Sequence, residues 1–418
     1  MRLRDWDTNL KIRLAGESVV NISFWMFFPF LAIYFSESFG KTTAGLLLIF
    51  SQFFAVVANL FGGYCADRFG RKRMMVISTF GQGIAYIFFA WASSPWLDSP
   101  SIGFISFTAV SIFSAFYNPA SQAMVADVIP EKDRSGVFAV FYTSINIAVV
   151  IGPILGGIFY ATHRFELLAL AAIINILLGF ILQTWVKETA LLSIQEKGSG
   201  KRVNGFSFLL NQLRDYQVIF RDKVFLLFII AGVLVYQTFM QLDLLFPVYI
   251  NEMVDPQSIF SITLQEEQIF GFLLAENGLF VALLTITVTK WASMYKERNV
   301  FIISSLIYSF SMILFGATQW VWGLFIAIAL FSIAELLTAG IQQGFVSKLA
   351  PAHMRGQYFA ASSLRFTIGR MLAPLAIPMT GWIGYNGTFL MISILAVLSA
   401  VLYFIMFSLY EKAKVQIP

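Results

Sequence analysis

Apolar runs long enough to cross a bilayer recur along almost the whole of this 418-residue chain. They fall at about 14–36, 43–66, 74–93, 101–128, 136–160 and 165–186. After a polar gap they resume at about 224–250, 269–291, 299–317, 319–349, 356–380 and 386–410. Each reaches the roughly 20 residues that a helix needs to span ~30 Å of hydrocarbon. In lipid an unpaired N–H or C=O finds no water to bond, so runs of this kind fold as helices. The fold class expected is therefore all-α integral membrane, with twelve transmembrane helices in two six-helix bundles. Residues 1–186 form the first bundle, 187–223 a linker and 224–418 the second.

Composition agrees. Charged residues make up 12% of the chain and hydrophobic ones 58%, with a mean hydropathy of +0.76. Soluble domains carry about 25% charge, so most of this surface is solvated by lipid. The few charges are placed unevenly. Twenty-four of the 28 Lys and Arg fall in segments on one side of the predicted spans, with only Lys41 and Arg164 on the other. The positive-inside bias then puts both termini in the cytoplasm of a multi-pass protein of the cell membrane. No contiguous basic face is present to hold nucleic acid. Two histidines and one cysteine give no metal cluster, and no nucleophile–base pair or cofactor motif is visible, so the chain does not read as an enzyme. Within the linker, Leu209, Leu213, Tyr216 and Phe220 recur at helical spacing opposite Asn211, Arg214 and Asp215, the pattern of a helix lying on the inner leaflet.

The most specific polar stretch is the loop between spans 2 and 3, Gly63-Tyr64-Cys65-Ala66-Asp67-Arg68-Phe69-Gly70-Arg71-Lys72-Arg73. Gly63 and Gly70 permit close approach and a tight turn, and Asp67 is an anion at a helix end. The order resembles the loop 2–3 signature of the major facilitator superfamily. Span 5 contains Ala148-Val149-Val150-Ile151-Gly152-Pro153-Ile154-Leu155-Gly156-Gly157, which resembles the antiporter signature of the same superfamily. Its small-residue stripe also suits helix packing alone, and Pro153 bends the helix. Asp127 to Arg134 closes span 4, and Pro351 to Gly356 closes span 10. Both resemble the superfamily's helix-end turns, readable as capped turns or as gate latches. The second half carries eroded copies: Ala292 stands where Asp67 does, and Ile377 and Pro378 replace the span-5 glycines.

The resemblance implies two pseudo-symmetric bundles with a substrate cavity near the midplane, alternating access, and Asp67 as a conformational latch with Arg68, Arg71, Asp127 and Arg134 in the gate. Among the branches, the chain is weakly similar to the LmrP-type multidrug/proton antiporters, whose membrane acids match Asp243 and Glu335 by position. An acid that branch carries early in span 5 is replaced here by Phe141. Proton-coupled export of amphipathic or lipophilic compounds is the function this implies, with small-molecule or lipid-like substrates, protons and membrane lipids as partners and a monomer as the unit. A lipid or lipid-linked-sugar translocator, and a receptor or scaffold without transport, are the alternatives.

Ionisable residues inside the spans sharpen the expectation, since each costs about 2.5–3.5 kcal/mol at a helix centre. Glu335, Asp243 and Glu276 are the candidate proton-coupling acids. Arg365 and Arg370 are candidate cavity cations, and Asn21, Gln237 and Gln241 could orient a substrate. Glu335 and Arg370 lie at similar depth on consecutive spans. They read either as a static ion pair or as a coupling acid with its modulator.

Overall fold

In the computed structural model, residues 6–189, 222–259, 262–339, 341–350, 358 and 361–415 are described. The linker helix expected at 209–220 and the turn at Pro351–Gly356 lie outside them. The chain is almost wholly helical, and its backbone contacts divide it into two compact units. One comprises Met1–Phe39 and Phe50–Leu209, and the other Gly40–Ile49 and Leu210–Pro418.

In the first unit, α1 (Thr8–Trp25) ends at a short 3-10 turn, Phe28–Phe30, before α2 (Leu31–Phe39). Pro29 lies in that turn and has no N–H to give to the carbonyl four residues back. The span read as continuous over 14–36 is thus a broken helix. Helices α3 (Lys41–Phe69), α4 (Arg71–Ala92), α5 (Pro100–Val128) and α6 (Glu131–Trp185) follow. The 55-residue α6 carries one non-helical residue, His163, near the boundary expected between spans 5 and 6. Its two halves pack differently. A Cβ on Gly152 would meet Trp25 of α1, while one on Gly179 would meet the Phe80 ring of α4.

The second unit repeats the broken opening helix. Here α7 (Lys223–Phe239) runs into a 3-10 turn, Met240–Leu242, and then α8 (Leu245–Met253). A two-stranded hairpin, β1 (Gln257–Ile259) and β2 (Ile262–Leu264), pairs antiparallel with Gln257 opposite Leu264. Helices α9 (Glu266–Ala292), α10 (Glu297–Ala317), α11 (Val321–Ala339) and α12 (Ile341–Leu349) come next. Then α13 (Leu364–Leu372) breaks at Ala373–Leu375, around Pro374, before α14 (Ala376–Val415). This last helix is interrupted at Gly384, whose φ is +71°. Phe225, Phe228, Phe301, Phe345, Tyr403 and Phe407 build an aromatic core between α7, α10, α12 and α14.

Among the described residues ten helical runs are long and apolar enough to cross a membrane. Two of them, Val140–Trp185 and Leu364–Lys412, have 46 and 49 residues, about twice the length one crossing requires. Large exposed apolar side chains, among them Ile105, Leu283, Ile286 and Phe310, stud the helices. On a soluble protein such a surface would aggregate, whereas in hydrocarbon it is solvated.

Candidate functional site

In the first unit, the loop 2–3 signature forms a capped helix start. Gly70 has φ +102°, which a side chain disfavours, and a Cβ there would collide with the Glu188 carboxylate. Glu188 Oε1 accepts the backbone N–H groups of Arg71 (2.8 Å) and Lys72 (3.3 Å), and Oε2 accepts that of Arg73 (3.4 Å). A carboxylate thus sits on the positive end of α4. Arg71 is buried and pairs with Asp127 at 3.4 Å, and Thr189 donates to the same Asp127 oxygen at 2.9 Å. Asn9 at the start of α1 clasps the Lys187 backbone through both amide atoms. Arg68 is exposed and donates to the Tyr64 hydroxyl at 2.7 Å. The side chains of Asp67 and Arg134 lie outside the described residues. The close helix approach expected at Gly63 is made by its neighbour. A Cβ on Gly62 would meet Pro119 and the Ala115 carbonyl of α5, while one on Gly63 meets nothing within 4 Å.

The antiporter motif packs against the break in α1. Gly152, Pro153, Gly156 and Gly157 are all buried. A Cβ on Gly156 would strike the Met26 carbonyl and approach the Phe30 ring at 2.5 Å. Within this unit, then, the stripe serves contact with the first helix.

Deeper in the first unit lies a network that sequence reasoning missed. By its place before the first span Arg13 reads as one of the 24 cations on the inner side, yet its side chain is 1% exposed and its Nε donates to Glu17 Oε1 at 2.9 Å. Tyr117 of α5 donates to the same oxygen at 2.7 Å, and Ser121 bonds both Arg13 and Glu17. The guanidinium lies 5.2 Å from the centre of the Phe141 ring, which in turn stacks on Trp6. The position that lacks the branch's span-5 acid therefore lies beside a cation already paired elsewhere. Asn21 is half-buried on α1.

The second unit brings most of the candidate ion-handling residues together. Asp243 follows the 3-10 turn of the seventh span, 8% exposed, and its Oδ1 is buried and accepts no hydrogen bond. Gln241, fully buried in the same turn, spends its amide N–H groups on the Gln237 carbonyl (2.8 Å), Gln237 Oε1 (3.3 Å) and the Ala373 carbonyl (3.2 Å). Those bonds tie the break in span 7 to the break in span 11. Glu335 of α11 accepts from Asn277 of α9 at 3.1 Å, and Asn277 also donates to Ser332 at 3.0 Å.

The pairing of Glu335 with Arg370 is not what the structure forms. Arg370 is exposed on α13, and no ion pair within 4.0 Å joins the two. The reason is the joined breaks, which seat α13 against α7. Consecutive residues diverge by about 100° around a helix, so Glu276 points away from the Asn277–Glu335 contact. Its Oε2 is buried without a partner. Arg365 is 2% exposed, with its stem across Gly232 and its guanidinium 4.4 Å from the Phe228 ring centre, so it is part of the core and not of a cavity. Asn277 was legible only as the neighbour of Glu276. Glu188 carries no sequence signal, since the α4 N–H groups that it caps lie over 110 residues away.

Comparison with known proteins places this architecture. The model of the Major Facilitator Superfamily matches residues 14–264 and 253–418. A Na(+), Li(+), K(+)/H(+) antiporter of Planococcus maritimus is 54% identical over 421 residues, covering 99% of each chain. More distant is the multidrug resistance protein MdtH of Escherichia coli (strain SE11), 23% identical over 90% of this chain and 84% of its own length. Of solved structures, a peptide transporter POT in complex with sulfate shares the fold at a TM-score of 0.77 and 14% identity, covering 99% of this chain and 96% of that one. The family match spans both units and the long relative spans nearly every residue, so this chain belongs to the Major Facilitator Superfamily and is an integral membrane secondary transporter.

Proposed function

We propose that the protein exchanges cytoplasmic alkali cations for external protons by alternating access, crossing the cell membrane twelve times with both termini inside. The observation that carries this reading is the 54% identity, over 99% of both chains, with a relative named as a Na(+), Li(+), K(+)/H(+) antiporter. The second unit supports it with three acids, Glu276 and Glu335 on membrane helices and Asp243 at the break in the seventh span, which a passive scaffold would have no use for. Export of amphipathic compounds finds support only in the distant likeness to MdtH. A lipid-headgroup role for Arg365 does not fit a side chain sealed in the core.

The test uses inverted vesicles from a host lacking its own cation/proton antiporters. Respiration acidifies the lumen, and a quenched weak-base dye reports it. Adding Na+, Li+ or K+ should restore fluorescence, because each cation entering the lumen is exchanged for protons leaving it. Dequenching by a lipophilic cation dye and by none of the three alkali ions would replace this reading with drug export.

A further inference from the structure

A single buried amide joins α9 to the acid of α11. The Nδ2 of Asn277 reaches two groups at once, Ser332 Oγ at 3.0 Å and Glu335 Oε2 at 3.1 Å, with one hydrogen for each. Ser332 and Glu335 are three residues apart and so share a face of α11. An amide has a donating end and an accepting end of nearly the same shape, so something else must fix which end meets the carboxylate. Ser332 fixes it. This residue is fully buried, and its hydroxyl hydrogen is given to the Ile328 carbonyl at 2.9 Å, one turn back. Toward Asn277 its Oγ therefore accepts and has nothing to donate, and turning the amide over would set Oδ1 against that oxygen. Asn277 is thereby held with its N–H groups toward Glu335. Such a donor bonds an ionised carboxylate and opposes protonation of the same oxygen. Among the described residues no other side chain donates to the Glu335 carboxylate, and no cation pairs with it within 4.0 Å. The titratable groups that face it are Tyr236 of α7, Asp243 after the 3-10 turn and Tyr308 of α10, none of them bonded to it. Glu276, next to Asn277 on α9, is turned away.

We propose that Asn277 is a positioning residue of the exchange, and that Ser332, by fixing which way its amide faces, sets the pH at which Glu335 gives up its proton. This rests on the cation/proton exchange proposed above and adds how the second unit keeps Glu335 open for a cation. Exchange requires a carboxylate to hold a proton and an alkali cation in turn, the proton going to water on the side from which the cation comes. The fixed N–H donor favours every state in which the proton has left. Without it the acid form would persist to higher pH, and the cation would compete less well for the same oxygens.

The test follows dequenching in inverted vesicles against the pH of the bathing buffer, with Na+ as the cation. In wild type the response should be lost as the buffer pH falls and protons hold the carboxylate. Asn277→Leu should move that loss upward by about one pH unit, a tenfold gain in proton affinity, as expected for one hydrogen bond to a charged group. Its half-saturating Na+ concentration should rise about tenfold on the acid side of the profile and return to within about twofold of wild type on the alkaline side, where no proton competes. Ser332→Ala keeps the donor but frees the amide to turn over, so it should move the profile the same way by a smaller amount. If Asn277→Leu fails to reach the membrane, Asn277→Ala takes its place. A lower rate with an unmoved profile would make Asn277 a packing residue and overturn the proposal. Na+ affinity weakened equally at every pH would overturn it too, and so would an Asn277 variant that behaves as wild type. A wild-type protein that shows no response to alkali ions would instead strike down the exchange reading itself.

Discussion

At the scale of single residues, the pair Arg13–Glu17 shows how an ion can be hidden inside what reads as a membrane helix. Arg13 stays charged at any attainable pH, and its side chain is 1% exposed against 17% for Glu17. The pair is closed by Tyr117 and Ser121, with a ring of Phe141 beneath the guanidinium. Removing one partner leaves a buried charge uncompensated, a loss of about 3–5 kcal/mol, whereas replacing both by apolar groups is often near neutral. Glu17→Gln should therefore lower the thermal unfolding midpoint of the detergent-purified protein by several degrees, and Arg13→Met with Glu17→Leu should recover most of it. An unchanged midpoint in Glu17→Gln would show that the pair contributes no stability. Sequence alone counted Arg13 by its place near the N-terminus. Charge at a span's edge and charge folded beneath it look the same until α5 supplies its partners. Glu335 and Asp243 were legible because any acid in an apolar run stands out. Their partners were not, since depth along a helix says nothing of which face a residue occupies.

At the scale of elements, helix existence was legible and helix continuity was not. The breaks at Phe28–Phe30 and Ala373–Leu375 each contain a proline, and the one at Met240–Leu242 precedes Pro247, so a signal was present. Hydropathy overrode it, because an interrupted span is as apolar as a whole one. These breaks are where the packing motifs act. Gly156 faces the Met26 carbonyl at the first break, a backbone atom that cannot step aside. Gly156→Ala should overpack that contact and cost about 1–3 kcal/mol. Gly63→Ala meets no atom within 4 Å and replaces a helical glycine, so it should be neutral or stabilising by up to about 1 kcal/mol. Unfolding midpoints of the two variants, measured side by side, decide the matter. Equal destabilisation would mean that helical glycines act here through backbone flexibility and not through contact.

At the scale of the whole molecule, each unit gathers its cation-rich chain ends at one pole. In the first, the Asn9–Lys187 clasp, the Glu188 cap and the Arg71–Asp127 pair join the start of α1, the α3–α4 turn and the ends of α5 and α6. In the second, Lys348–Glu297 at 2.7 Å and Arg298–Glu411 at 3.4 Å join the end of α12, the start of α10 and the end of α14. The opposite pole of the second unit is tied by Gln257 to Gln319 and Val321. A bias of positive charge to one side orients membrane proteins because translocating those loops is disfavoured, so the clustered pole should be cytoplasmic. Two exposed positions read this out in a Cys65→Ser background, which removes the chain's single thiol. Trp96, 77% exposed between α4 and α5, belongs to the outer set, and Met294, 73% exposed between α9 and α10, to the inner one. A membrane-impermeant maleimide should label Trp96→Cys in intact cells and leave Met294→Cys untouched there, with the pattern reversed in inverted vesicles. The opposite pattern would invert the protein in the membrane and, with it, the direction in which the proposed exchange expels alkali cations.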